Sequence, residues 1–195
     1  RELMNPGEFS FSSQDVQFMR EALQLAREAL SQSEVPVACV IVDARDMQVV
    51  ATGHNLTNAT HNATRHAELV AFDKLFYGAA ESCSGAESAP CSKKPRSGQD
   101  PVGPLAILSE CTLYVTVEPC VMCADAIKSL GLKRVVFGCR NDRFGGCGSV
   151  LPVLVSPLVQ GGLLAAEAMS LLKDCYAQEN PFAPVDKRAP GRSID

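Results

Sequence analysis

An excess of positive charge is missing from this sequence: 18 Lys and Arg face 22 Asp and Glu, for a formal net charge of -4. Neutralising phosphates normally demands a basic face, so the chain alone is not expected to grip nucleic acid strongly. Any such partner must be held by local patches or with help. Long apolar runs are missing too. None approaches the roughly 18 to 20 residues that span a bilayer, so no transmembrane segment and no membrane partner are expected. The opening Arg1-Glu2-Leu3 has no basic region followed by an apolar stretch, which argues against a secretory signal. The expected location is intracellular, in the nucleus, the cytoplasm or both. No internal repeat is visible, and no P-loop lysine follows Gly145, Gly146 and Gly148. Those glycines read as tight backbone geometry rather than a phosphate cradle.

What is present is ordinary for a globular protein: 46% hydrophobic and 21% charged residues in a chain of 195. That length suits one well-buried core, and a single domain over 1–195 is expected. Nine cysteines is an odd count, and Cys120 and Cys123 form a C-x-x-C. Reduced thiols plus a metal site fit this better than a disulfide framework. Cys39, Cys111, Cys139 and Cys175 lie in or beside apolar elements and read as small buried hydrophobes.

The pattern along the chain gives the elements. Residues 12–31 read as a helix, with Ser12 three residues ahead of Asp15 in capping-box spacing and Val16, Met19, Leu23, Ala26 and Leu30 on one face. "VPVACVIV" (35–42) and "QVVATGHN" (48–55) suggest a strand hairpin. "HAELVAFDKLF" switches to helical spacing through Leu69, Phe72, Leu75 and Phe76, with His66 and Glu68 in its first turn. Residues 78–110 turn to Ser, Gly, Pro and charge without periodicity, an irregular insertion too long for an ordinary connection. "CTLYVTV" (111–117) is a strand, "EPCVMCADAIKSLG" a Pro-started helix stopped by Gly131, and "RVVFGC" a further strand. An extended stretch at 151–159 and a helix from about Leu163 to Gln178 follow, then a loose tail from about 179. Strands alternating with helices imply an α/β sheet with helices on its faces.

Histidine is scarce, three in all, yet one stands in "NATRHAELVAF" (62–72) two residues before a carboxylate. A metal ligand needs company, and Cys120 and Cys123 supply it. One imidazole and two thiolates suit zinc and leave a fourth tetrahedral position open, the arrangement of a catalytic site. Glu68 is then a carboxylate at a zinc site, able to move protons. Taken alone it would be a first-turn acid complementing the helix dipole, and Asn55 a strand end or Asx turn. His66-Ala67-Glu68 with Pro119-Cys120-Val121-Met122-Cys123 matches H-x-E…P-C-x-x-C, the general signature of zinc-dependent nucleobase deaminases.

The likeness extends to "NATRHAE", "LYVTVEPCVMCA", "RVVFGCRNDRFGGCGSVL" and "YAQENPFAP". On these stretches the chain resembles the catalytic subunits of the eukaryotic heterodimeric tRNA wobble-adenosine deaminases, in the cytidine/deoxycytidylate deaminase superfamily. The resemblance implies a cytidine-deaminase-like three-layer α/β/α sandwich with a central sheet of about five strands. It implies Zn2+, a tRNA anticodon loop as substrate, hydrolysis of adenosine to inosine, and a related partner subunit lacking the catalytic glutamate. Residue by residue, His66, Cys120 and Cys123 match the metal ligands, Glu68 the proton shuttle, Asn55 a base contact and Asn141 a polar group near the ribose. Arg143 and Phe144 are read as RNA contacts by charge and stacking. Residues 179–195 set Lys187, Arg188 and Arg192 against Glu179, Asp186 and Asp195, a formally neutral tail where the family has a basic one. Two rivals share the zinc motif: a deaminase of a free nucleotide or base such as dCMP, cytidine or guanine, and a non-catalytic RNA-binding subunit that keeps zinc for folding.

Overall fold

The computed structural model describes residues 10–78, 107–156 and 159–178. Most of the expected insertion, with Cys83 and Cys91, and the tail from 179 lie outside the described residues.

Helix α1 (Ser13–Ser31) starts on the expected device. Ser12 Oγ accepts from Asp15 N, and the Asp15 carboxylate accepts from Ser12 N, a reciprocal capping box. Strands β1 (Ala38–Asp43) and β2 (Gln48–His54) form the antiparallel hairpin. A short helix, α2 (Thr57–Thr60), was not expected from the sequence. It forms because Glu34, wholly buried, accepts from Asn58 N at 2.9 Å, Ala59 N at 2.8 Å and the Thr57 hydroxyl, meeting the free amides of a helix start with a tertiary carboxylate. Helix α3 is Ala67–Tyr77, β3 Cys111–Val117, α4 Val121–Leu130 and β4 Arg134–Cys139. The extended stretch expected at 151–159 forms no strand over its described residues 151–156; the strand here is the three-residue β5 (Val159–Gly161), and α5 is Ala165–Ala177.

The sheet order is β2-β1-β3-β4-β5, with β1 antiparallel to both neighbours and β3-β4-β5 parallel. Every residue of β1 and β3 is buried, as expected when helices cover both faces of a sheet. Val40, Val42, Tyr114 and Val136 point to a core with Met19, Leu23 and Ala26 of α1 and Ala168 of α5. Cys39, Ile41, Leu113, Val115 and Val135 point the other way, to Ala67, Ala71 and Phe72 of α3 and Ile127 of α4. This is the expected α/β/α sandwich. Among the described residues no helix is long and apolar enough to cross a membrane.

Two helix starts differ from the sequence reading. His66 is the N-cap of α3 rather than a first-turn residue, and α4 begins at Val121 with Cys120 as N-cap, leaving Pro119 outside. The face of α3 also differs: Ala67, Val70, Ala71 and Phe72 are buried, while Leu69, Leu75 and Phe76 are only partly so. Small residues turn inward because α3 lies directly on β2. A Cβ at Gly53 would stand 2.1 Å from Ala67 O and 2.8 Å from Ala71 N, so a glycine there permits the approach.

Candidate active site

The parallel strands β3 and β4 end at one side of the sheet, beside the end of β2, and the chain turns there into the N-termini of α3 and α4. His66 and Cys120 are the two N-caps, both in extended backbone, and neither side chain makes a capping hydrogen bond. Their ring and sulfur turn toward each other instead. Asn55 takes over the capping of α3, its Oδ1 accepting from Ala67 N at 2.9 Å. The Phe144 carbonyl accepts from Val121 N at 2.9 Å and so does the same for α4. One turn into α4 lies Cys123, fully buried, and one residue past Ala67 lies Glu68, only 3% exposed.

The ligand atoms of His66, Cys120 and Cys123 all lie within 4.8 Å of one another. His66 Nδ1 is 3.4 Å from Cys120 Sγ and 3.6 Å from Cys123 Sγ. Tetrahedral zinc, with bonds of about 2.3 Å to sulfur and about 2.0 Å to nitrogen, sets such atoms about 3.5 Å apart. The donor set and its spacing therefore fit zinc. A hydrogen bond from Cys123 is the main reason Cys120 is held down at about 4; burial opposes it and His66 adds to it. The same bond, with burial, pushes Cys123 up. A dication that displaces the shared proton meets two thiolates at the positive end of a helix. The hydrogen bond to Cys120 raises His66, burial opposing. Burial is the chief reason the Glu68 carboxyl is raised, and Cys123 is one of its hydrogen-bond partners.

Asn141, Arg143 and Phe144 lie on the loop after β4, which the glycines fold back onto α4. Asn141 is half-buried, and its Oδ1 accepts from Phe144 N at 3.0 Å, shaping the turn. Arg143 lies over the Phe144 ring at 5.7 Å, and that ring is 61% exposed. Gly146 N donates to Pro119 O at 2.8 Å, and a Cβ at Gly146 would meet that of Ala124 at 2.5 Å. The sequence reading missed two wholly buried acids: Glu34, which holds α2, and Glu118, which holds this loop. A signal existed for Glu118, which stands two residues before Cys120. Among the described residues the cysteines are free thiols; Cys39, Cys111 and Cys139 are buried, Cys147 and Cys175 half-buried.

Comparison with known proteins agrees with this geometry. A curated relative from Xenopus tropicalis, tRNA-specific adenosine deaminase 2, is 43% identical over 178 residues, covering 87% of this chain and 93% of its own. The tRNA-specific adenosine deaminase of Streptococcus pyogenes serotype M18 is 31% identical over 83% of this chain and 89% of its own. A solved structure from a study of A-to-I editing by tRNA:A34 deaminases at the wobble position of transfer RNA superposes with a TM-score of 0.58 at 29% identity, covering 80% of this chain and 99% of that one. The family model described as the cytidine and deoxycytidylate deaminase zinc-binding region matches residues 12–139, from the cap of α1 to the last residue of β4. That span holds His66, Glu68 and both cysteines, and the chain belongs to the zinc-binding cytidine and deoxycytidylate deaminase family.

Proposed function

We propose that this chain hydrolyses adenosine to inosine at the first anticodon position of tRNAs, as the catalytic half of a heterodimer with a related subunit that lacks the catalytic glutamate. The observation that carries the chemistry is Glu68, a buried carboxyl with a raised pKa beside the His66, Cys120 and Cys123 cluster. The relatives named as tRNA-specific adenosine deaminases support the choice of substrate.

Zinc held by His66, Cys120 and Cys123 would make water a better nucleophile by bringing its pKa from about 15.7 to near 7. Glu68 would accept a proton from the attacking water and deliver it to N1 of adenine as the water oxygen adds to C6. The C6 carbon becomes tetrahedral, carrying both the hydroxyl and the amine. Glu68 then takes the hydroxyl proton and passes it to the amine; the C–N bond breaks, ammonia leaves and the C6 carbonyl of inosine forms. A carboxyl whose pKa burial has raised suits this double transfer, because it holds a proton near neutrality more readily than a solvated one. Asn55 orients the base: with Oδ1 committed to Ala67 N, its amide N–H group remains to donate to an acceptor on the purine edge. Asn141 shapes the turn that presents Arg143 and Phe144 to the flanking nucleotides. An anticodon loop is already single-stranded, which lowers the cost of flipping the base into the cavity.

Exposed apolar residues support a protein partner. Met122, Val150, Leu151 and Val155 all stand on α4 or the loop beside it, each more than a third exposed. The partner also answers the acidic balance, by bringing basic surface for tRNA inside the cell, in the nucleus, the cytoplasm or both. The test is inosine formation in a tRNA with adenosine at the first anticodon position, using this chain alone, with its partner, and with Glu68→Ala in the complex. Conversion is expected only in the wild-type complex. Efficient conversion by the Glu68→Ala complex would remove this chain from the chemistry.

A further inference from the structure

Glu118 sits at the end of β3, two residues before Cys120, and is 2% exposed. Burying a carboxylate is costly unless its oxygens are fully hydrogen-bonded, and here they are, each partner lying on one loop. Oε1 accepts from Cys147 N at 3.0 Å and Ser149 N at 3.1 Å, and Oε2 from Asn141 N at 3.1 Å and the Ser149 hydroxyl. The loop between those partners includes Gly145, Gly146 and Gly148, so it loses much chain entropy on ordering and needs something to hold it. A Cβ at Gly145 would stand 2.6 Å from Glu118 Oε1 and 2.6 Å from Asn141 O. The glycine is what lets the carboxylate reach the centre of the turn. At the tip of the same turn stand the exposed Arg143 and Phe144.

We propose that Glu118 is a positioning residue for the substrate: it fixes the Asn141–Ser149 loop so that Arg143 and Phe144 meet the nucleotides flanking the target base. The proposal rests on the tRNA-deaminase reading above. A purely structural role predicts something different, because the loop also braces α4 through the Phe144 carbonyl on Val121 N. Loss of that brace alone would appear as loss of zinc and of fold. Loss of positioning appears in KM.

The experiment uses the full chain in complex with its partner, carrying Glu118→Gln, Ser149→Ala, Phe144→Ala, or Glu118→Gln with Phe144→Ala. Zinc content, melting temperature, KM and kcat for an anticodon stem-loop tRNA are measured for each. Glutamine keeps the shape but offers one acceptor oxygen and sets an amide N–H against backbone donors. Glu118→Gln is expected to keep its zinc, raise KM roughly tenfold and change kcat far less, as loss of charge-assisted hydrogen bonds implies. Ser149→Ala should raise KM by a smaller factor. Phe144→Ala should raise KM in the wild-type background and add little to Glu118→Gln, because the ring is no longer held in place. Unchanged KM in a zinc-replete Glu118→Gln complex overturns the proposal, as does a Phe144→Ala effect equally large in both backgrounds. If Glu118→Gln does not fold, unchanged KM in Ser149→Ala overturns it. Absence of inosine with the wild-type complex overturns the function reading and this one together, whereas wild-type turnover with insensitive KM overturns this one alone.

Discussion

Cys120 and Glu68 stand close together and answer to different demands, and substitution separates them. Cys120 and Cys123 both face His66 Nδ1, their sulfurs 3.4 Å and 3.6 Å from it, so removing either sulfur leaves two donors for a tetrahedral ion. Cys120→Ala and Cys123→Ala are therefore expected to lose bound zinc and to melt earlier, since metal affinity adds directly to folding free energy. Glu68 is not part of the donor set. Glu68→Ala is expected to retain zinc at wild-type stoichiometry while turnover disappears. Metal analysis on the purified variants reads the difference, and full zinc in both cysteine variants would sink the ligand assignment.

At the scale of elements, helix α1 ties its own start to the sheet. Asp15 caps the helix through Ser12 and also accepts from Tyr114 Oη at 2.7 Å and Arg134 Nη1 at 2.6 Å. Burial on its own would raise this carboxyl, but the hydrogen bonds from Arg134, Tyr114 and Ser12 together outweigh it and hold it at about 2, against 3.8 ordinarily. A carboxyl depressed in the folded state adds stability that is complete above its unfolded pKa and disappears as pH falls through the folded one. Asp15→Asn should thus cost about 2 kcal/mol near neutral pH. The gap from wild type should begin to close below about 4 and vanish near 2, as followed by urea unfolding across that range; a gap independent of pH would refute the assignment. The capping half of this cluster was legible in the sequence, because Ser12 and Asp15 are local. Its other half was not, since Tyr114 and Arg134 lie about a hundred residues away. The same divide runs through the site. His66, Glu68, Cys120 and Cys123 were legible because metal chemistry restricts residue type and spacing. Glu34 was not, because a buried acid that binds backbone amides leaves no spacing rule behind, and the signal for Glu118 was only its place two residues before Cys120. The face of α3 was misread for a related reason: hydrophobic periodicity favours large side chains, and the close approach at Gly53 selected small ones.

At the scale of the whole molecule the difficulty is charge. Among the described residues, six cations already pair with the chain's own carboxylates: Arg27 with Glu167, Arg45 with Asp43, Arg65 with Asp73, Lys133 with Glu110, Arg134 with Asp15 and Arg140 with Asp142. With a net charge of -4, the chain has little positive field to offer a polyanion. On the proposed function a partner subunit supplies most of the phosphate contacts, while this chain supplies the cavity and the Arg143–Phe144 turn. Salt dependence reads that division of labour directly. Each phosphate neutralised on a single strand contributes about 0.7 to the slope of log affinity against log salt. The isolated chain is expected to bind tRNA weakly at physiological salt with a shallow slope, and the heterodimer to bind tightly with a steep one. Arg143→Ala in the heterodimer should lower that slope by at most about 0.7, one contact's worth, and leave the rest in place. Tight binding with a steep slope by the isolated chain would place the basic surface here after all, in a chain about half of whose described cations are engaged with its own acids.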